Sequence, residues 1–177
     1  YTTACLGKWH LGNLPQFLPT NQGFDSFYGI PYSGDMWPLH PESPKGYPPL
    51  TLLRDNAVIN PALGPEDQKR LTGQYTDEAI RFIEKSAAKP FFLYLAHNQP
   101  HVPLFAGKDF EGRSGKGLYA DVLEEIDHSV GRILGKLDEL KLSDNTWMVF
   151  TSDNGPWLSY GEHAGSSGKF REGKGTV

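Results

Sequence analysis

A chain of 177 residues is long enough for one domain with a sizeable core. Its formal net charge of −4, with 21% charged residues, excludes a broad basic face for nucleic acid and leaves room only for a local cationic pocket. Glycine (20) and proline (14) are abundant, so much of the chain must be loop, and ordered loops on a scaffold are where binding residues gather.

In chain order, residues 1–8 are β-rich and run into Trp9-His10-Leu11-Gly12, where glycine marks a turn. Residues 13–50 carry many prolines, glycines and aromatics and read as a long ordered loop region. Residues 50–59 read as a hairpin about Asp55-Asn56. Leu71, Tyr75, Ala79 or Ile80, Ile83 and Ala87 recur at helical spacing and predict a helix over 71–88, ended by Lys89-Pro90. Residues 91–96 are almost wholly apolar, as in a strand covered on both faces. Val122, Ile126, Val130, Ile133, Leu137 and Leu140 predict a second helix over 119–140. Asp144-Asn145 then turns the chain into a second buried strand at 146–151, and a glycine-rich charged loop follows.

Helices alternating with buried strands imply an α/β sandwich with a largely parallel sheet. Ligands of such sheets gather beyond the carboxyl ends of the strands. Three polar clusters occupy those places: Lys8 with His10, residues 97–101 with His97 and His101, and Asp153 with Asn154. Lys8 and His10 alternate at a strand end, so both can face one side and clamp an anion, or form a solvated edge. His101 at a strand exit suits a general acid, or a loop histidine held by backbone. A zinc pair of His97 and His101 is disfavoured by the intervening Pro100. Asp153-Asn154 offers two hard oxygen donors, or an Asx-turn. The stretch Gly165 to Gly175 can fold over an anion or lie as a surface loop, and it lacks the spacing of a phosphate loop. Cys5 is the single cysteine; it excludes an internal disulfide and reads as a small buried hydrophobe. No run of about 18 apolar residues or signal-peptide pattern is visible.

Five segments follow one another along the chain: Gly7-Lys8-Trp9-His10-Leu11-Gly12; Asn21-Gln22-Gly23-Phe24-Asp25 with Gly29-Ile30-Pro31-Tyr32-Ser33; Pro90-Phe91-Phe92-Leu93-Tyr94 with His101-Val102-Pro103; Thr151-Ser152-Asp153-Asn154-Gly155-Pro156; and Arg171-Glu172-Gly173-Lys174-Gly175-Thr176. In this order they resemble the sulfatase family, of the arylsulfatase A kind, within the alkaline-phosphatase-like superfamily. The resemblance implies a three-layer sandwich about a largely parallel sheet, of which residues 1–177 are an incomplete part of one catalytic domain. Both termini, Tyr1 and Val177, are accordingly read as cuts. It implies that Lys8 and Lys174 bind sulfate, with Ser33 beside the pocket. His10 would hydrogen-bond the nucleophile's hydrate and help release sulfate. His101 would protonate the leaving alcohol, and Asp153 and Asn154 would ligate a divalent metal, most often calcium. His97, His163 and Lys169 match no site position.

The family's nucleophile is a formylglycine made from a cysteine or serine followed two residues on by Pro-Ser-Arg. Cys5 is followed instead by Leu6-Gly7-Lys8, and no stretch of the chain fits. The nucleophile and the remaining metal ligands are expected upstream, and residues 1–177 alone are expected to be inactive. The resemblance further implies a sulfated small molecule or glycan as substrate, a formylglycine-generating or equivalent maturation enzyme as partner, and a periplasmic, secreted or lysosomal home. The alternatives are a phosphoester or phosphonate hydrolase of the same superfamily and a non-catalytic sulfated-glycan binder.

Overall fold

The computed structural model describes residues 1–40 and 46–176. Strand β1 (Thr2–Lys8) is buried from Ala4 to Leu6 on both faces, which suits its place inside a five-stranded sheet. It pairs in parallel with β2 (Ser26–Ile30) on one side and β5 (Phe91–Ala96) on the other. The hairpin of β3 (Leu52–Arg54) and β4 (Ala57–Asn60) adds an antiparallel edge, giving the order β4-β3-β2-β1-β5. Asp55 makes the hairpin turn in the left-handed region (φ 53), and its carboxylate accepts from the Phe27 amide at 2.9 Å.

Strand β2 falls inside the region expected to be loop. Its five residues include Gly29, which weakens any strand signal. The glycine has a physical reason: a Cβ there would lie 1.8 Å from the Gly7 carbonyl oxygen. Gly7 is itself left-handed (φ 101), and a Cβ on it would lie 1.9 Å from the Ala96 oxygen. At these two points the three central backbones approach too closely for any side chain.

A short helix, α1 (Pro65–Gln68), precedes α2 (Leu71–Ser86). Leu71, Tyr75, Ala79 and Ile83 form the buried stripe of α2 and lie against β1 and β5. Helix α3 (Leu118–Glu139) packs on α2 through Ile133 and Leu137 in the same core. Each such buried aliphatic contributes about 1.5–3 kcal/mol relative to exposure, so this stripe anchors both helices to the sheet. No helix among the described residues is long and apolar enough to cross a membrane.

The opposite sheet face carries Cys5, Phe27 and Leu53, covered by Leu18, Trp9 and Phe24 from the loop after β1. Short 3-10 turns at Pro15–Phe17 and Pro19–Asn21 shape that loop. The α/β class and the mostly parallel sheet hold; the second helical layer of a three-layer sandwich is not among the described residues. Two local expectations fail. Strand β5 is not covered on both faces, since Phe92 and Tyr94 are 53% and 47% exposed. Residues 146–151 form no strand, and Trp147, Val149 and Phe150 are 96%, 75% and 72% exposed. An apolar run becomes a buried strand only when a neighbour supplies hydrogen bonds and cover, and none of the described strands lies beside it.

Because β1, β2 and β5 are parallel, their carboxyl ends share one edge, with Lys8 opposite Ile30 and Gly7 opposite Ala96. The three chains leave that edge side by side.

Candidate active site

The chain leaving β1 carries Lys8 and His10, the chain leaving β2 carries Ser33 and Asp35, and the chain leaving β5 carries His97 and His101. His10 lies beyond the strand end with a left-handed backbone (φ 56), so simple alternation with Lys8 does not set its direction. Its amide donates to the Pro31 carbonyl at 3.1 Å, which ties the first loop to the second. Trp9 turns to the covered face, where its Nε1 donates to the Phe17 carbonyl at 2.8 Å.

The C-terminal loop closes on this edge. The Lys174 amide donates to the Pro156 carbonyl at 2.9 Å, and a Cβ on Gly155 would sit 3.1 Å from the Gly173 Cα. The Asp153-Asn154 dipeptide and Lys174 are thereby held in adjacent loops. Lys174 Nζ lies 2.9 Å from His101 Nε2 and 4.9 Å from the centre of the Trp157 ring. Trp157 meets the His101 ring edge-on at 5.7 Å and Tyr160 at 4.7 Å. Beside them, Gly155, Pro156, Ser167, Phe170 and Arg171 line an open cleft of about 510 Å³.

Electrostatics join these groups. Burial, then the Lys174 ammonium, lowers the Lys8 ammonium from its ordinary value, while Asp153 and Asp35 pull it back. Burial, then Lys8, lowers the His10 imidazole, with Asp35 opposing and Lys174 adding. Burial lowers His101 against the Val102 carbonyl and Asp35, and Lys174 and Lys8 add to the burial. Burial opposes the charge on Asp35, but the nearby Ser33 hydroxyl, His101, its own backbone and Lys8 together hold its carboxyl below the usual range. Two ammoniums and two imidazoles thus crowd one edge, an arrangement whose mutual repulsion an incoming oxyanion relieves.

Asp153 and Asn154 are exposed, and their side chains make no hydrogen bond among the described residues. The hydrogen bond of an Asx-turn is therefore missing, and the oxygens are open to a ligand. Their chemistry suits a hard divalent cation, but they are two of the six to eight oxygens that calcium takes. No group of three or more His, Cys, Asp or Glu among the described residues could hold an ion.

Sequence reasoning missed Asp35 and Trp157. Asp35 reaches the site only because β2 exists, and β2 was hidden. Trp157 is signalled by nothing beyond its place after Asp153-Asn154-Gly155-Pro156. Two cautions hold up. Cys5 is fully buried, and burial pushes its thiol up to about 12, so it serves the core and not as a nucleophile. His97 is engaged by helix α3: its Nε2 lies 3.2 Å from Ser129 Oγ, which shares a hydrogen bond with Thr76 Oγ1. Burial pushes His97 down to about 4 from 6.5. The unfolded chain then binds the extra proton first, so this contribution is complete above about pH 6.5 and is lost as pH falls towards 4. The full loss is roughly 3 kcal/mol. Urea unfolding between pH 7 and 4 should show this slope, and His97→Gln should flatten it; equal slopes in both would remove His97 as the cause.

The sulfatase family model, described as "Sulfatase", matches residues 1–176. The chain belongs to the sulfatase family. It is 40% identical over 185 residues to N-acetylgalactosamine-6-sulfatase of Homo sapiens, covering 100% of this chain and 35% of that protein. It is 38% identical over 192 residues to arylsulfatase A of Homo sapiens, covering 100% and 38%. Among solved structures, the PsFucS1 sulfatase from Pseudoalteromonas sp. superposes with a TM-score of 0.77 at 27% identity, covering 88% of this chain and 36% of that one. The Ps i-CgsB complex with k-i-k-neocarrahexaose gives 0.73 at 29% identity, covering 94% and 40%. The chain therefore spans little more than a third of the length of these sulfatases, and its sheet is part of the alkaline-phosphatase-like fold.

Proposed function

We propose that the protein hydrolyses sulfate esters and that residues 1–177 supply the sulfate-binding and leaving-group side of its site. The observation that carries this reading is the contact of Lys174 with His101, with Lys8 and Asp153 electrostatically joined to it. Cleavage of a sulfate ester moves negative charge onto the bridging oxygen. Lys8 and Lys174 hold sulfate oxygens and stabilise that charge where it develops. His101 protonates the departing oxygen. His10 handles the proton at the nucleophile, and Ser33, whose side chain is buried, supports the pocket from the chain leaving β2. Asp153 and Asn154 would hold the divalent cation, calcium, which supplies Lewis-acid neutralisation of sulfate charge when bound.

The nucleophile, a formylglycine prepared by a maturation enzyme, belongs to a segment outside these 177 residues. The relatives' names support a sulfated sugar or aryl substrate; one is a sulfatase of N-acetylgalactosamine 6-sulfate by name, the other an arylsulfatase. The test compares full-length enzyme on 4-nitrophenyl sulfate and 4-nitrophenyl phosphate. A higher kcat/KM for the sulfate is expected. Preference for the phosphate would move the protein to the phosphohydrolase reading, and turnover of neither would favour a glycan-binding role.

A further inference from the structure

The His101 ring is placed with more chemical detail than its acid role requires. Nδ1 lies 2.7 Å from the Val102 carbonyl oxygen, which can only accept, so Nδ1 carries a hydrogen. Nε2 lies 2.9 Å from the Lys174 ammonium, which can only donate, so Nε2 is bare. In this tautomer the nitrogen facing Lys174 has no proton to give. To protonate a leaving group there, the ring must first take up a second proton and become a cation close to Lys8 and Lys174.

Four kinds of group face the ring. The ammoniums of Lys8, from the end of β1, and Lys174, from the C-terminal loop, oppose the second proton. The Trp157 ring meets it edge-on and carries no charge. The Val102 carbonyl and the Asp35 carboxylate favour it, and of these only Asp35 is charged. Asp35 Oδ1 stands 3.9 Å from His101 Nδ1, too far for a hydrogen bond but close enough for a strong charge interaction in a partly buried setting. That oxygen is buried and has no partner at hydrogen-bond geometry among the described residues, the Ser33 hydroxyl being near enough only to favour its charge. A buried carboxylate oxygen without a hydrogen-bonding partner is costly. A cationic ring beside it lowers that cost.

We infer that Asp35 is the positioning residue of His101: with the Nδ1-protonated tautomer fixed by the Val102 carbonyl, its carboxylate beside Nδ1 supplies the counter-charge that lets Nε2 acquire the proton it donates. The inference rests on His101 being the leaving-group acid. Asp35 acts through His101 and does not itself touch the reacting atoms. At the chemical step the bond from Nε2 to its proton breaks as the bridging oxygen takes that proton, and the ring returns to the neutral Nδ1 tautomer.

The experiment has two arms. In the first, the His101 ring nitrogens are followed by NMR across pH in the native protein, Asp35→Asn and Asp35→Glu. The expected native ring is the Nδ1-protonated tautomer near neutral pH. Its titration midpoint should fall in Asp35→Asn and return towards the native value in Asp35→Glu. An Nε2-protonated native ring, or a midpoint unmoved by Asp35→Asn, overturns the inference without recourse to activity. In the second, full-length Asp35→Asn is compared with native enzyme on an alkyl sulfate and on 4-nitrophenyl sulfate. A loss of about tenfold or more in kcat on the alkyl ester is expected, bounded above by the ~10²–10⁴-fold that the general acid itself supplies. The nitrophenyl ester should lose much less, and Asp35→Asn should add nothing in a His101→Ala background. Equal losses on both esters, with His101→Ala still discriminating between them, overturn the role of Asp35 alone. Equal losses for His101→Ala itself overturn the acid reading on which the inference rests.

Discussion

Replacing His101 with alanine lowers kcat/KM for an alkyl sulfate by about 10²–10⁴-fold, and for 4-nitrophenyl sulfate by far less. The asymmetry follows from the leaving groups. An alkoxide must be protonated as the S–O bond breaks, whereas nitrophenolate is stable enough to leave with little help. Lys174→Ala should behave differently although its ammonium lies 2.9 Å from the same ring. Lys174 stabilises sulfate charge whatever leaves, so its loss should fall on both esters alike. It also removes a cation that pushes His101 down, so the alkaline limb of the pH profile, where the acid loses its proton, should move up in Lys174→Ala. The measurement is kcat/KM against leaving-group pKa for the native enzyme and the two variants. A slope left unchanged by His101→Ala would take His101 out of the acid role.

Asp153→Ala is expected to be the most damaging change outside that pair. It removes the only charged oxygen ligand among the two the chain offers, and even losing an outer partner of a metal ligand costs about 10–100-fold in affinity. Calcium affinity should therefore fall by more than about 100-fold, with activity falling in step. A second consequence is particular to this site. Asp153 also favours the charge on the neighbouring Lys8 ammonium, so its carboxylate serves the sulfate-binding lysine as well as the metal, and excess calcium should restore only part of the rate. Calorimetric calcium titration and activity at saturating calcium check both statements. Unchanged calcium content and unchanged rate would reduce Asp153-Asn154 to the end of a loop.

The parts of the fold that were legible are those decided locally. The stripe Leu71, Tyr75, Ala79, Ile83 needs only helical periodicity, and α2 appears within two residues of its expected end. The hairpin needs only Asp55 in a left-handed turn. What failed depends on neighbours. The apolar residues 146–151 and the outward face of β5 were assigned burial that no described part of the chain provides. Strand β2 failed in the opposite sense: Gly29 looks like a break in the sequence and is in fact the point where a neighbouring carbonyl comes too close for a Cβ. The site followed the same division. Lys8, His101, Asp153 and Lys174 carry recognisable motifs. Asp35 does not, because its place beside His101 is set by the parallel registers of β2 and β5 on β1 and not by anything within a few residues of it.

The central claim is that residues from three strand exits and a distant loop surround one sulfate. A crystal structure of the full-length protein grown with calcium and sulfate tests it most directly. The account predicts one sulfate with Lys8 and Lys174 Nζ about 2.7–3.0 Å from its oxygens and the His101 ring at the same group. It also predicts a calcium ion about 2.3–2.6 Å from the oxygens of Asp153 and Asn154 on the adjoining side. A sulfate bound away from Lys8 and Lys174, or Asp153 turned to the opposite edge of the sheet from His101, would contradict it.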